Sequence, residues 1–147
     1  MGPGYRYCNP DANTLGEFRA GAECAHGRGD LAVGTVALVA SPLGWFKHWS
    51  VRVTGNCRRC RVPSTYTLDF GPVGTDWRCG EYTKDVHILH SFVPNVAMTV
   101  EAVGTSYESI YAPSKNYSAM HYNCKDWAND MYVLLGGKCH ASTIRAE

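Results

Sequence analysis

The chain has 147 residues, with 14 Lys and Arg against 13 Asp and Glu for a formal net charge of +1. That length suits one domain with its own core, and 45% hydrophobic against 18% charged residues exclude a disordered chain. Balanced charge with no basic stripe leaves nothing to neutralise phosphates, so nucleic acid is not an expected partner.

In chain order, Leu15, Phe18 and Ala22 recur at helical spacing and predict a short helix within Asn13 to Cys24. Gly27 to Asp30 reads as a turn. Ala32 to Val39 is a β-branched apolar run that predicts a buried strand. The apolar stretch from Leu31 to Phe46 is too short for a membrane span and contains Gly34, Pro42 and Gly44, so no integral membrane segment is expected. His48 to Val53 alternates, with His48, Ser50 and Arg52 on one face and Trp49, Val51 and Val53 on the other. Ser64 to Phe70 alternates again, placing Thr65, Thr67 and Asp69 together. Two such segments joined by a loop predict an antiparallel hairpin. Pairing Val53 with Ser64 sets His48 opposite Asp69; a two-residue slip brings Thr67 there instead.

Asp85 to Val93 and Val96 to Val103 predict two further strands around Pro94-Asn95. Thr105-Ser106-Tyr107-Glu108 has the form of a capping box opening a short helix before Pro113. The last element starts at Asn123, a favoured N-cap, with Asp126 in the first turn. Trp127, Ala128, Met131, Leu134 and Leu135 make its apolar stripe, and Gly136-Gly137 stop it.

There are seven cysteines: Cys8, Cys24, Cys57, Cys60, Cys79, Cys124 and Cys139. Six pairable thiols with one left over is the arithmetic of a disulfide-stapled, secreted domain with one free thiol. The competing reading is cytoplasmic, with Cys57-x-x-Cys60 and Cys79 reduced or in a structural zinc site; one CxxC lacks a second pair, so disulfides are preferred.

Cys124 falls in the first turn of the last helix. The positive end of a helix and a neighbouring imidazolium both stabilise a thiolate, and first-turn N–H groups can donate to an oxyanion. Cys124 is the expected nucleophile and the expected unpaired cysteine.

Gly29-Asp30-Leu31 followed by Lys47-His48-Trp49-Ser50-Val51-Arg52-Val53, and later Asn123-Cys124-Lys125-Asp126-Trp127, resemble the two boxes of circularly permuted papain-like enzymes. The His-before-Cys order is similar to that of the lecithin:retinol acyltransferase-like and PPPDE-type branches of the NlpC/P60 superfamily. The resemblance implies an α+β fold, an antiparallel sheet packed against helices. It implies a papain-like core over about 29–137 of a single domain 1–147 with an N-terminal extension. His48 would be the general base and Cys124 the nucleophile. The acyltransferase-like branch often places a further His on the following strand; none occurs in Ser64 to Phe70. Asp69 is therefore the expected third residue, with Thr67 and His87 as fallbacks and His121 as a minor alternative base. Trp45, Trp49 and Tyr122 are candidates for lining the substrate cleft. The segments Gly55 to Arg61 and Gly71 to Tyr82 read as insertions.

The expected activity is a cysteine hydrolase of peptidase or amidase type, or an acyltransferase, working through a thioester on peptide, amide or acyl substrates. That chemistry needs no metal or organic cofactor, and the expected state is a monomer. A lipid acyl hydrolase or acyltransferase is one alternative; a secreted, non-catalytic binding module or effector on the same scaffold is another.

Overall fold

The computed structural model describes residues 17–21, 23–43, 46–72, 74–111, 118 and 122–139. The described residues form six strands, β1 (Phe18–Ala20), β2 (Leu31–Leu43), β3 (Phe46–Cys57), β4 (Pro63–Gly71), β5 (Gly74–Tyr82) and β6 (His87–Phe92), and the alternating segments His48–Val53 and Ser64–Phe70 lie within β3 and β4. They build one antiparallel sheet in the order β1-β5-β4-β3-β2-β6. Two helices, α1 (Val100–Ser109) and α2 (Cys124–Leu134), complete an α+β fold.

Leu38, Val51, Val53, Tyr66, Leu68, Phe70 and Trp77 bury one face of the sheet beneath Val100, Val103 and Tyr107 of α1 and Trp127, Ala128 and Met131 of α2. At about 25 cal/mol per Å² of apolar surface, this two-layer core is the main stabilising term. The other face is not simply solvated. Ser41, His48, Ser50, Thr67, Asp69 and Arg78 are all buried on it, which makes it the place to look for chemistry.

Four sequence expectations need correction. Phe18–Ala20, within the expected N-terminal helix, is a strand pairing Phe18 with Tyr82 on the edge of β5. Its backbone groups are satisfied by that edge, and Phe18 lies against the Arg78 guanidinium, so tertiary pairing overrides the weak helical spacing. The sheet thereby reaches into the segment read as an N-terminal extension. Val96 to Val103 is not a second strand. Thr99 caps α1 by accepting from the Ala102 N–H at 3.2 Å, and Val100, Val103, Gly104 and Tyr107 form its buried stripe. The apparent capping box lies inside that helix, where the Thr105 hydroxyl donates to the Glu101 carbonyl. Finally, most of Gly71 to Tyr82, read as an insertion, is an integral strand of the sheet, β5, the partner of β4. Gly80 has φ +132°, and a Cβ there would meet the Arg19 carbonyl oxygen at 2.2 Å, so only glycine lets β1 approach.

Among the described residues, no helix is long and apolar enough to cross a membrane.

Candidate functional site

Helix α2 begins as its sequence predicts. Asn123 Oδ1 accepts from the N–H groups of Lys125 (3.0 Å) and Asp126 (3.4 Å), while the Asn123 N–H donates to Asp126 Oδ2 at 3.1 Å. This closed box fixes the first turn and holds Cys124 at the positive end of the helix. Gly136, with φ +115°, lets the chain leave the helix at the other end. Cys124 is a free thiol and is only 4% exposed.

His48 comes from the start of β3 and Asp69 from the end of β4. Their register differs from the one anticipated: Val53 pairs with Tyr66, and Ser50 rather than His48 stands opposite Asp69. The two-residue offset keeps both side chains on the same face, because the side-chain period of a strand is two. The imidazole therefore reaches Asp69 along the diagonal, with His48 Nε2 donating to Asp69 Oδ2 at 2.9 Å. Cys124 interacts with the same imidazole and adds to its basicity. With Nε2 committed to Asp69, Nδ1 is the nitrogen left for sulfur.

Burial alone would depress the basicity of His48. The Asp69 hydrogen bond and the interaction with Cys124 overcome it, and the imidazole is pushed up from 6.5 to about 9. Burial acts on Asp69 in the opposite sense, raising its carboxyl. The His48 hydrogen bond, the charges of His48 and Arg78, and the Tyr82 hydroxyl outweigh that, and Asp69 titrates below the ordinary range. Asp69 is thus a buried carboxylate and His48 an imidazolium at neutral pH.

Two residues not anticipated from the sequence complete this network. Arg78 Nη2 donates to Asp69 Oδ2 at 2.5 Å and to the Tyr82 hydroxyl, and that hydroxyl donates to the same Oδ2 at 2.9 Å. The Arg78 guanidinium is clamped between rings, 4.3 Å from the centroid of Phe18 and 4.9 Å from that of Tyr82. A buried carboxylate without such donors would protonate rather than hold an imidazolium. The only available signal was alternation: Arg78, Gly80 and Tyr82 share a face, as do Thr67 and Asp69. It was lost because this segment was read as an insertion.

The fallback third residues are engaged elsewhere. The Thr67 hydroxyl donates to the Gly80 carbonyl at 2.7 Å, and His87 is exposed on edge strand β6. Among the suggested cleft residues, Trp49 belongs to the buried core, with Lys125 Nζ 5.8 Å from its ring centroid. Tyr122 is half-buried, its ring 5.7 Å from that of Phe70 and its hydroxyl donating to Asp130 at 2.9 Å. Trp45 and His121 lie outside the described residues.

In comparisons with family models, curated proteins and solved structures, nothing matches this chain. The site must stand on its own geometry.

The cysteine arithmetic also changes. Cys24, Cys57, Cys60, Cys124 and Cys139 are free thiols, so Cys124 is not the lone unpaired one. Cys79 is disulfide-bonded and cannot serve in a zinc site with Cys57 and Cys60. Cys8 lies outside the described residues. Three of the free thiols converge away from Cys124, and their grouping is taken up below.

Proposed function

We propose that the chain is a cysteine hydrolase or acyltransferase acting on amide or peptide bonds through Cys124, His48 and Asp69. The observation that carries this reading is one buried imidazole that bonds a buried carboxylate with three donors, His48, Arg78 and Tyr82, and interacts with a thiol at a helix N-terminus. Each part has a defined task. The imidazolium and the helix end favour the Cys124 thiolate. The thiolate attacks the carbonyl carbon, forming a C–S bond. The C–N bond then breaks as His48 gives its proton to the departing amine. Water, or another acceptor, attacks the thioester while neutral His48 takes its proton, and the C–S bond breaks to release the acyl product and restore the thiolate and imidazolium. Asp69 orients the ring throughout, and Arg78 with Tyr82 keeps Asp69 ionised.

The N-cap narrows one detail. Asn123 already occupies the N–H groups of Lys125 and Asp126, so the N–H of Cys124 itself is the first-turn donor placed for an oxyanion. The order of parts, a strand histidine ahead of a helix-start cysteine, is the one a circularly permuted papain-like enzyme requires. On that reading the sheet and α2 are the core of such a fold, and a secreted or cytoplasmic setting suits the chemistry equally.

The burial of Cys124 favours one rival, a sealed dyad retained on a non-catalytic scaffold. Site-resolved alkylation separates the two. Iodoacetamide is applied at mildly acidic pH, with exposed Cys139 as an internal reference. In the enzyme, Cys124 labels at least tenfold faster than Cys139 despite its burial, and His48→Ala removes that advantage (roughly the factor expected for losing the thiolate's partner). A Cys124 that labels more slowly than Cys139 in the wild type would sink the proposal.

A further inference from the structure

Cys24 and His26, just before β2, meet Cys57 and Cys60, which flank the turn between β3 and β4. The four ligand atoms all lie within 4.8 Å of one another. We infer that Cys24, His26, Cys57 and Cys60 form a structural zinc site of the Cys3His type, separate from the Cys124 site.

The chemistry of the donors selects the metal. Three thiols and one imidazole are soft and borderline ligands, and four of them in a closed set suit tetrahedral Zn²⁺ with no position left for substrate. With Zn–S of about 2.3 Å and Zn–N of about 2.1 Å, tetrahedral ligand atoms sit about 3.5–3.8 Å apart. The Cys57 Sγ to His26 Nδ1 distance of 3.4 Å is already close to that. It also identifies Nδ1 as the coordinating nitrogen.

The turn carries a second feature that a disulfide does not need. The N–H groups of Arg59 and Cys60 both donate to Cys57 Sγ, at 3.4 and 3.5 Å. Backbone donors aimed at the first sulfur of a CxxC turn stabilise a metal-bound thiolate and orient its lone pairs. Pairing any two of the three thiols as a disulfide would strand the third and leave His26 without a role.

The surrounding chain holds both halves of the set in place. Glu23, next to Cys24, accepts from Arg28 Nε at 3.1 Å and from the Tyr66 hydroxyl, which ties that segment to β4. On the turn, the Arg58 N–H donates to the Asp30 carbonyl and its guanidinium to the Gly29 carbonyl, while Arg59 pairs with Asp30 at 3.6 Å. One Zn²⁺ with three thiolates and a neutral imidazole leaves one net negative charge, which Arg58 and Arg59 flank. Binding releases the three thiol protons to solvent, and no redox step is involved.

The test uses the full chain, produced with zinc and purified under reducing conditions without chelator. Elemental analysis should find about one zinc per chain. Stoichiometric zinc should persist in Cys139→Ser and Cys124→Ala and be lost in Cys60→Ser. Replacement by Co²⁺ in the wild type should produce thiolate charge-transfer and intense tetrahedral d–d absorption, which needs no variant to fold. Chelation should lower Tm by about 10 °C, restored by Zn²⁺ and not by Mg²⁺. Wild type without stoichiometric zinc, a cobalt spectrum lacking thiolate bands, or a disulfide among Cys24, Cys57 and Cys60 overturns the site. Because Cys124→Ala keeps its zinc, failure of the enzyme proposal leaves this one standing, and the reverse also holds.

Discussion

At the scale of single residues, the site turns on one proton held by His48. Its imidazole is raised from 6.5 to about 9, and a shift of that size is worth about 3 kcal/mol at 1.36 kcal/mol per unit. The folded pKa is the higher one, so this stabilisation is fully present below the unfolded value of 6.5. It fades above that value and is lost as pH rises through about 9. Asp69 has the opposite sign: its contribution is present above the ordinary aspartate value of 3.8 and is lost as pH falls through its lower folded value. Urea unfolding at pH 6 and pH 10 measures the first effect. The wild type should lose about 3 kcal/mol more than His48→Gln over that interval. Equal losses would mean that His48 is neutral in the folded protein and that Asp69 does not hold its proton.

At the scale of elements, α2 is the piece that places Cys124. Asn123→Ala removes the acceptor for two first-turn N–H groups and should cost about 1 kcal/mol, read from the shift in the urea midpoint. The same variant frees the first turn, so the alkylation rate of Cys124 should fall although its dyad partner is intact. A stability loss with an unchanged rate would show that the cap holds the helix but not the thiol. How legible each element was follows from its chemistry. The start of α2 announced itself because N-cap, first-turn carboxylate, stripe and terminal glycine all agree. The strands β3 and β4 did so through alternation. Their register did not, because an offset of two residues leaves every side chain on the same face, and Ser50, not His48, took the place opposite Asp69. The start of α1 was hidden by Val96 to Val103, an apolar, partly β-branched run that suits a strand equally well. Arg78 and Tyr82 were missed with β5, and Cys24 and His26 because their partners lie over thirty residues away across a hairpin.

At the scale of the whole molecule, the groups of the candidate site come from two different layers. His48 and Asp69 belong to the sheet and Cys124 to the helix, so the approach of thiol to imidazole is set by how α2 seats on the sheet. Trp127, one turn after Cys124, is the central contact of that seat. It is fully buried, its ring centroid lies 6.4 Å from that of Phe70 on β4 and 6.2 Å from that of Tyr107 on α1, and its indole N–H donates to the Ile110 carbonyl at 3.0 Å. Trp127→Ala should cost about 3–5 kcal/mol through the cavity and the orphaned carbonyl. That is a large share of the 5–15 kcal/mol typical of a domain, so the variant should fold at low temperature and melt well below the wild type. Trp127→Phe keeps an aromatic in the seat and loses the donor, and should cost about 1–2 kcal/mol. Function separates the two further. Where both are folded, the alanine variant should lose the fast alkylation of Cys124, because the helix can shift by the ångström that separates a paired thiol from an idle one. The phenylalanine variant should retain it. If Trp127→Ala melts like the wild type, α2 is not seated through this side chain; if it is folded yet labels at the wild-type rate, the position of Cys124 does not depend on the helix–sheet packing.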